Sequence, residues 1–459
     1  MAKVLSTPED LKGVASGLYQ EWFSLGHSSS NGPAMPLITM ADHQTCSWGN
    51  FGMRALSSEP RAAFNNLPTY DYVTNFQVFV ETRFSIISQA NDVLSSVLLN
   101  GAQIGAEGSE NNMVLAWAYF NRGLAYAQIG MLYDASPIAT HEDLTNTDLQ
   151  SYQTVTAQAI SDFDEAITYC SSSFTLPAPW FAGVALTNAQ LKMMINSYAA
   201  RYMVLSARTK AENDATDWTK VKTYAENGID FDLSVMCESN LWYSSYIAQS
   251  ASPTWLHTDL RVINLMDPAY PDRYSDDGTE PDPKFATSND ARLTTYFDEI
   301  ESCGFRPERG YYHFSTYKFN RYNYLYDNWI NGIAYDYKVT ENDMYLAEAL
   351  LHTAGSKTTV AQLINKTRVS IGTLAALDGT ETDAALMDAI FYERALELVY
   401  TGVGIEFCDM RRRDMLQYGT LLHFPVPGAH LEIYGLDYYT YGGVENADGI
   451  NTSNTGWFK

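Results

Sequence analysis

Residues 345–372 read YLAEALLHTAGSKTTVAQLINKTRVSIG, and residues 389–416 read AIFYERALELVYTGVGIEFCDMRRRDML. In and just before the first string, Met344, Ala347 and Leu351 fall on one helical face, with Leu346 and Leu350 beside them, until Gly355-Ser356 breaks the pattern. Val360, Leu363, Ile364 and Thr367 then follow i, i+3, i+4, i+7 up to Gly372. In the second string Phe391, Ala395, Leu398 and Val399 follow i, i+4, i+7, i+8 up to Gly402. That period puts apolar side chains on one stripe of an α-helix, and short breaks between such helices make antiparallel hairpins. The stretch 341–415 therefore predicts three helices in succession and a mainly α-helical chain.

Two charged clusters sit inside this apolar context, Tyr392 to Leu398 and Glu406 to Arg412. A catalytic carboxylate set is one reading. The other is a partly buried ion network that locks the last helix to the segment after it. Charges bordering apolar residues are usually paired and structural, and the second reading is preferred. Glu393, Arg394, Glu397, Arg411 and Arg412 are its expected members.

Working outward, Thr7-Pro8-Glu9-Asp10 is an N-cap followed by proline at the first helical position, and Leu11, Val14, Ala15 and Leu18 continue the stripe. Residues 26–69 lose the period and are rich in Gly, Ser, Asn and Pro. Asp71–Leu99, Asn112–Gly130, Thr154–Tyr169, Leu186–Ser206 and Trp218–Ile229 regain it. Ala116, Phe120, Gly123 and Ala127 place small residues where a partner helix must come close, and Thr154–Tyr169 supplies that partner. Residues 231–335 are dominated by Tyr, Trp, Asn, Asp, Pro and Ser, and residues 420–459 are again loop-rich. Spacing leaves two arrangements open, tetratricopeptide-like helical hairpins or a plain bundle.

Composition narrows function. The 459 residues carry 29 Lys and Arg against 54 Asp and Glu, a formal charge of -25. So acidic a surface argues against nucleic acid and against docking by charge on anionic lipid, and it disfavours polyanionic substrates. There is no phosphate loop, no His-Glu-x-x-His and no Gly-x-Ser-x-Gly, and the eight histidines do not pair at metal-ligand spacing. The five cysteines are scattered, which points to isolated thiols behaving as small hydrophobes. The acidic stretch Asp267–Asp290 lacks calcium-loop spacing and reads as a solvated loop. No cofactor and no metal is expected. Met1-Ala2-Lys3 leads into a helix-like segment without a signal peptide or an apolar run of membrane-spanning length.

The two opening strings, together with LLHFPVPGAHLEIYG at 421–435, resemble the C-terminal half of the SusD/RagB family, glycan-binding lipoproteins on the outer surface of Bacteroidetes. The family pattern runs from a Leu-Ile-Asn-x-x-Arg helix end through a Glu-Arg-Arg-x-Glu-Leu helix and a Trp/Phe-Asp-Leu-Arg-Arg run to Pro-Ile-Pro. Here Ala395 stands for the second arginine, and Val426 sits between Pro425 and Pro427. MVLAWAYFNRGLAYAQIG at 113–130, QAND at 89–92 and NDARLTTYF at 289–297 match earlier family segments, with Ala291 in a proline place. The resemblance implies one domain, 1–459. Its tetratricopeptide-like scaffold would span 1–230 and 336–416, its ligand-face excursion 231–335, and its C-terminal loops 417–459. It further implies a non-enzyme at the cell outer membrane, anchored by a lipid on a cysteine outside the sequence given, that passes oligosaccharide to a SusC-like TonB-dependent transporter. Competing classes are an acidic helical glycoside hydrolase and a peptide-binding helical-repeat scaffold.

Aromatic residues in irregular segments are harder to explain as helix core, and an exposed ring can stack on the C–H face of a pyranose while amide and charged neighbours bond hydroxyls. Family glycan contacts come from the loop after the first helix and from the mid-chain excursion. The resemblance thus selects Trp48 as a stacking platform, flanked by Ser47 and Gly49, with Asn50, Arg54 and Asp42 as polar partners. Trp242, Tyr243, Trp255 and Trp329 join them from the excursion.

Overall fold

The computed structural model describes residues 7–46, 49–252, 255–275, 277, 279, 282–303, 312–446 and 449–450. Its helices in the first half are α1 (Pro8–Gly26), α2 (Ala34–Met40), α3 (Met53–Ser57), α4 (Thr74–Leu94), α5 (Asn111–Leu132), α6 (Tyr152–Tyr169), α7 (Asn188–Leu205), α8 (Lys210–Asp214) and α9 (Trp218–Glu226). The excursion holds α10 (Ser245–Ala251), α11 (Leu260–Met266), α12 (Arg292–Thr295) and α13 (Asn323–Asp327). The C-terminal part holds α14 (Val339–His352), α15 (Lys357–Arg368), α16 (Asp383–Glu397), α17 (Ile405–Arg411) and α18 (Gly428–Tyr434). Among the described residues, short strands form five antiparallel pairs. Those that matter here are β1 (Gln44–Cys46) with β2 (Leu256–Thr258), and β3 (Leu233–Cys237) with β4 (Gly332–Tyr337).

The fold is mainly α. Helix α1 begins in a capping box: Thr7 accepts from the Asp10 backbone N–H while the Asp10 carboxylate accepts from the Thr7 N–H, which satisfies two donors that a helix start leaves open. Helices α4 to α7 pack as successive neighbours, and α9 packs on α7. Helix α14 lies against α9 although the whole excursion separates them in sequence, and α15 and α16 pack on α14. The excursion leaves after α9 along β3 and returns to α14 along β4, so this ladder is its neck. Leu233 opposes Tyr337 at the scaffold end, and Cys237 opposes Gly332 at the far end.

The tightest helix pair is α5 with α6. A Cβ on Gly123 would lie 2.8 Å from the Phe163 ring, and one on Gly130 would lie 2.6 Å from Thr156 Oγ1. Small residues there set the approach, as the spacing predicts. Gly123→Val should cost about 1–3 kcal/mol through overpacking. A thermal melt of that variant should fall by several degrees, and an unchanged melt would mean that the pair relaxes freely.

Helix α2 corrects the reading of residues 26–69 as irregular throughout. All seven of its residues are buried, so it shows no polar face and no amphipathic period. Two guanidiniums seal helix ends beside it in the core. Arg208 donates to the carbonyls of Gly130, Met131 and Tyr133, and Arg411 donates to those of Met131, Leu205 and Leu422. Cations at the C-terminal ends of α5 and α7 satisfy carbonyls that have no helical partner.

The charged clusters of the C-terminal strings are buried and separate into two networks. In the first, Arg292 is fully buried and binds Asp290 at 2.8 Å, Glu393 at 2.6 Å and Glu397 at 3.2 Å. Thr367 donates to Glu393, Tyr392 to Asp290, and Lys338 to Glu397. In the second, Asp409 is shared by Arg394 and Arg412, and Arg412 also forks onto Glu348. The acidic stretch is likewise not solvated at its ends: Asp290 is buried in the first network, and Asp267 accepts from the Ala269 and Thr287 N–H groups. Cys170, Cys237 and Cys408 are buried free thiols, and Cys303 is buried against the Tyr274 hydroxyl.

Candidate functional site

At the far end of the β3–β4 ladder the chain builds a turn from residues 328–331. Asn328 and Asn331 bond reciprocally, side-chain amide to backbone carbonyl, at 2.7 and 2.9 Å, and the Ile330 N–H returns to the Leu325 carbonyl at 2.6 Å. Trp329 and Ile330 both adopt left-handed backbone, φ 54° and 60°. Consecutive left-handed non-glycine residues are costly, and such strain collects at ligand-binding segments. Its result here is geometric. Ile330 is driven into the core while Trp329 stands 83% exposed. Gly332 completes the turn at φ 150°, where a Cβ would lie 2.8 Å from Leu325.

Because β3 and β4 are antiparallel, residues 238–243 leave the ladder at the end where 328–331 enter it. Leu241 and Tyr243 are exposed there, with Met236 and Ile333 exposed as a cross-strand pair on the ladder. Tyr324 and Tyr326 on α13 are exposed as well, and the Tyr324 hydroxyl donates to the Ile333 carbonyl. The loop 238–243 is pinned to α1, since Ser24 donates to the Leu241 carbonyl at 2.7 Å. Soluble chains rarely leave so many large apolar side chains open on neighbouring segments without a use for them.

A second group forms where β1 pairs β2. This pairing brings residues 49–54 beside Trp255. Phe51, left-handed at φ 58°, stacks on Trp255 with centroids 5.8 Å apart and planes at 29°. Gly49 is left-handed at φ 74°, and a Cβ on it would lie 2.7 Å from Arg54 Cβ, so the arginine stem runs directly beneath the turn. Asn50 is exposed, and Arg54 and Trp255 are half-buried.

The residues selected from sequence therefore separate. Asn50, Arg54 and Trp255 come together at β1–β2. Tyr243 and Trp329 lie in the two segments that leave and enter the far end of the β3–β4 ladder. Trp48 lies outside the described residues. Two selected residues are corrected to the interior. Asp42 is only 2% exposed and accepts from Arg61 at 2.9 Å and Arg261 at 3.0 Å. It ties the β1 segment to α11, and burial, aided by the Asp42 charge, holds the neighbouring Asp259 carboxyl well above the usual carboxylate range. Trp242 is 7% exposed and packs on Tyr19 and Phe23. Sequence reasoning missed Phe51, Tyr324, Tyr326 and the Met236–Ile333 pair. The aromatic density of Tyr322-Asn-Tyr-Leu-Tyr326 beside Trp329 was the available signal.

Glu393 and Glu397 are the carboxylates that a hydrolytic reading would use. Both are closed to solvent and bound to Arg292. They hold the excursion to α16 rather than face a cleft.

Known proteins agree with this architecture. A family model described as SusD family matches residues 143–450. Among solved structures, a SusD superfamily protein from Parabacteroides distasonis superposes with a TM-score of 0.63 at 14% identity, over 92% of this chain and 97% of that one. A SusD-like carbohydrate binding protein from Bacteroides fragilis gives 0.63 at 16% identity over 89% and 86%. Another from Bacteroides vulgatus gives 0.60 at 17% over 88% and 83%. No curated protein matches the sequence. At these identities the superpositions speak for the fold alone, and it is the family match across well over half the length that decides the assignment: the chain belongs to the SusD family.

Proposed function

We propose that this protein binds a glycan without transforming it, and that the ladder-end face is the contact surface. The observation that carries the reading is Trp329, held out of the core by a strained turn, with Tyr243, Tyr324 and Tyr326 exposed on the neighbouring segments. Flat rings stack on pyranose faces, and the turn amides and hydroxyls beside them bond sugar oxygens. Asn50, Arg54 and Trp255 are proposed as a second contact group. Membership of the SusD family, and neighbours described as SusD-like carbohydrate binding proteins, support the ligand class.

Trp329→Ala tests the reading. Loss of a stacked ring should weaken affinity roughly ten- to a hundred-fold, by analogy with aromatic stacking on bases. Because the ring is already exposed, its removal opens no cavity and the melting temperature should stay put. Calorimetric titration over a glycan panel, run beside a thermal melt, reads both, and unchanged affinity would remove Trp329 from the site.

The same reading extends to the cell. We propose one domain over 1–459, held at the outer membrane by a lipid anchor, that passes oligosaccharide to a SusC-like TonB-dependent transporter. Co-purification from native outer membranes in mild detergent tests this, and recovery of the full-length protein alone would count against it. A peptide-binding reading has one feature behind it, a groove of about 650 Å³ between α6, α7 and α9 floored by Ala157, Ile160 and Met203. It lies away from the strained turn and from every exposed tryptophan described here.

A further inference from the structure

The ladder-end face is poor in available positive charge. Among the described residues of 231–335 every cation already has an inward partner. Arg261 is bound to Asp42, Arg273 to Glu59, and Arg292 to Asp290, Glu393 and Glu397. Lys284 donates to the Glu301 carbonyl, and Lys318, itself buried, donates to the Ala251 carbonyl. Arg321 donates to the carbonyls of Glu397 and Val399. The charges beside the apolar rings are instead negative. Asp327 is exposed at the end of α13, two residues before Trp329, and Glu238 is half-exposed in the loop that carries Leu241 and Tyr243. What remains for a ligand oxygen is amide and hydroxyl chemistry, from Asn328, Asn331 and the tyrosines.

We infer that this face selects uncharged glycan chains and turns away chains bearing uronate or sulfate groups. The inference rests on the glycan-binding reading above. Asp327 stands exposed two residues before Trp329, so a polysaccharide lying across the ring passes its carboxylate. An anionic substituent at that point meets like charge, and every cation among the described residues of 231–335 is already held by an inward partner. Rejection by unpaired charge is a common way to separate ligands with the same backbone shape. Neutral hydroxyls face no such barrier.

The experiment uses matched polysaccharides on the full chain: hydroxyethylcellulose against carboxymethylcellulose, dextran against dextran sulfate, and neutral galactan against polygalacturonate. Affinity electrophoresis and calorimetry are run at about 20 mM and about 500 mM salt. In any pair whose neutral member binds, the anionic member should be at least about tenfold weaker at low salt, and the gap should narrow as salt shortens the screening length. Asp327→Lys should narrow it at low salt while leaving the neutral member unchanged. A lysine near the end of α13 also suits the helix dipole, so folding is preserved. An anionic member that binds as well as its neutral partner, and more tightly as salt falls, overturns the inference and leaves glycan binding intact. Failure of every neutral and anionic polysaccharide in a broad panel to bind overturns the glycan reading itself, and this inference with it.

Discussion

Arg292→Ala should lower the stability of the protein by about 3–5 kcal/mol, the range found when one side of a buried ion pair is removed. The guanidinium has no exposed surface, and its loss strands Asp290, Glu393 and Glu397 together in the interior. Glu397 keeps Lys338, and Glu393 keeps the Thr367 hydroxyl. Asp290 keeps the Tyr392 hydroxyl and the backbone N–H of residue 292. Arg292→Lys should recover only part of the loss, because an ammonium cannot reproduce the planar fork that binds Asp290 and Glu393 at once. The damage should also have an address. Arg292 ties α12, inside the excursion, to α16 in the scaffold, and Gly372 closes over it so tightly that a Cβ there would lie 2.8 Å from Arg292 Nη2. Limited proteolysis of the variant should therefore cut within 231–335 before it cuts the scaffold helices. A melting temperature equal to that of the parent, with unchanged cleavage, would show that the network is dispensable.

The second large effect is acid lability. Burial holds three imidazoles neutral: His43 is lowered to about 3, with Asp409 opposing, and His257 to about 4. His423 falls to about 2, helped by Arg208 and Arg411 nearby. Each therefore titrates lower in the folded chain than in the unfolded one. Below pH about 6.5 the unfolded chain takes up protons that the folded chain refuses, so these groups cost nothing above that pH and destabilise progressively as pH falls. Glu406 works the other way. Burial pushes it up to about 7, so the folded chain binds its proton first and gains stability on acidification from about pH 7 toward 4.5. The three imidazoles outweigh Glu406, although Asp259, also held high by burial, offsets part of the difference. The net between pH 6.5 and 5 should be a loss of about 1–3 kcal/mol. Carboxylates held low, such as Asp336 and Asp409, add to the loss only nearer pH 4. Urea unfolding at pH 7.5, 6.5, 5.5 and 5.0 gives the slope, and His423→Gln should flatten it. Stability that is constant or rises toward pH 5 would contradict this account.

What could be read from sequence follows from how each part is buried. Helices α14 to α16 have one wet face, so Val360, Leu363, Ile364 and Thr367 announce their period. Helix α2 has none and is silent. Glu393 and Glu397 were legible as structural charges because they lie within an apolar stripe. Their partner Arg292 was not, since a contact made across a hundred residues leaves no local pattern. Trp242 and Tyr243 show the same limit at closer range. The two rings are adjacent in a bent loop, and only the packing of Tyr19 and Phe23 decides that Trp242 is the buried one. Asp42 was misread for a related reason: a loop aspartate near Trp48 looks like a ligand contact until the β1–β2 pairing brings α11 and Arg261 against it.

The paired guanidiniums of Arg208 and Arg411 bear on how the chain is made. Residue 411 reaches back to carbonyls at 131 and 205, so a nascent chain still tethered to the ribosome carries the ends of α5 and α7 only half sealed. Arg208 can close the first of them early. The second waits until nearly the whole polypeptide has emerged. Vectorial synthesis thus builds the N-terminal hairpins first but finishes them last, and the C-terminal motif by which the family is recognised is also the clasp that completes its opening helices.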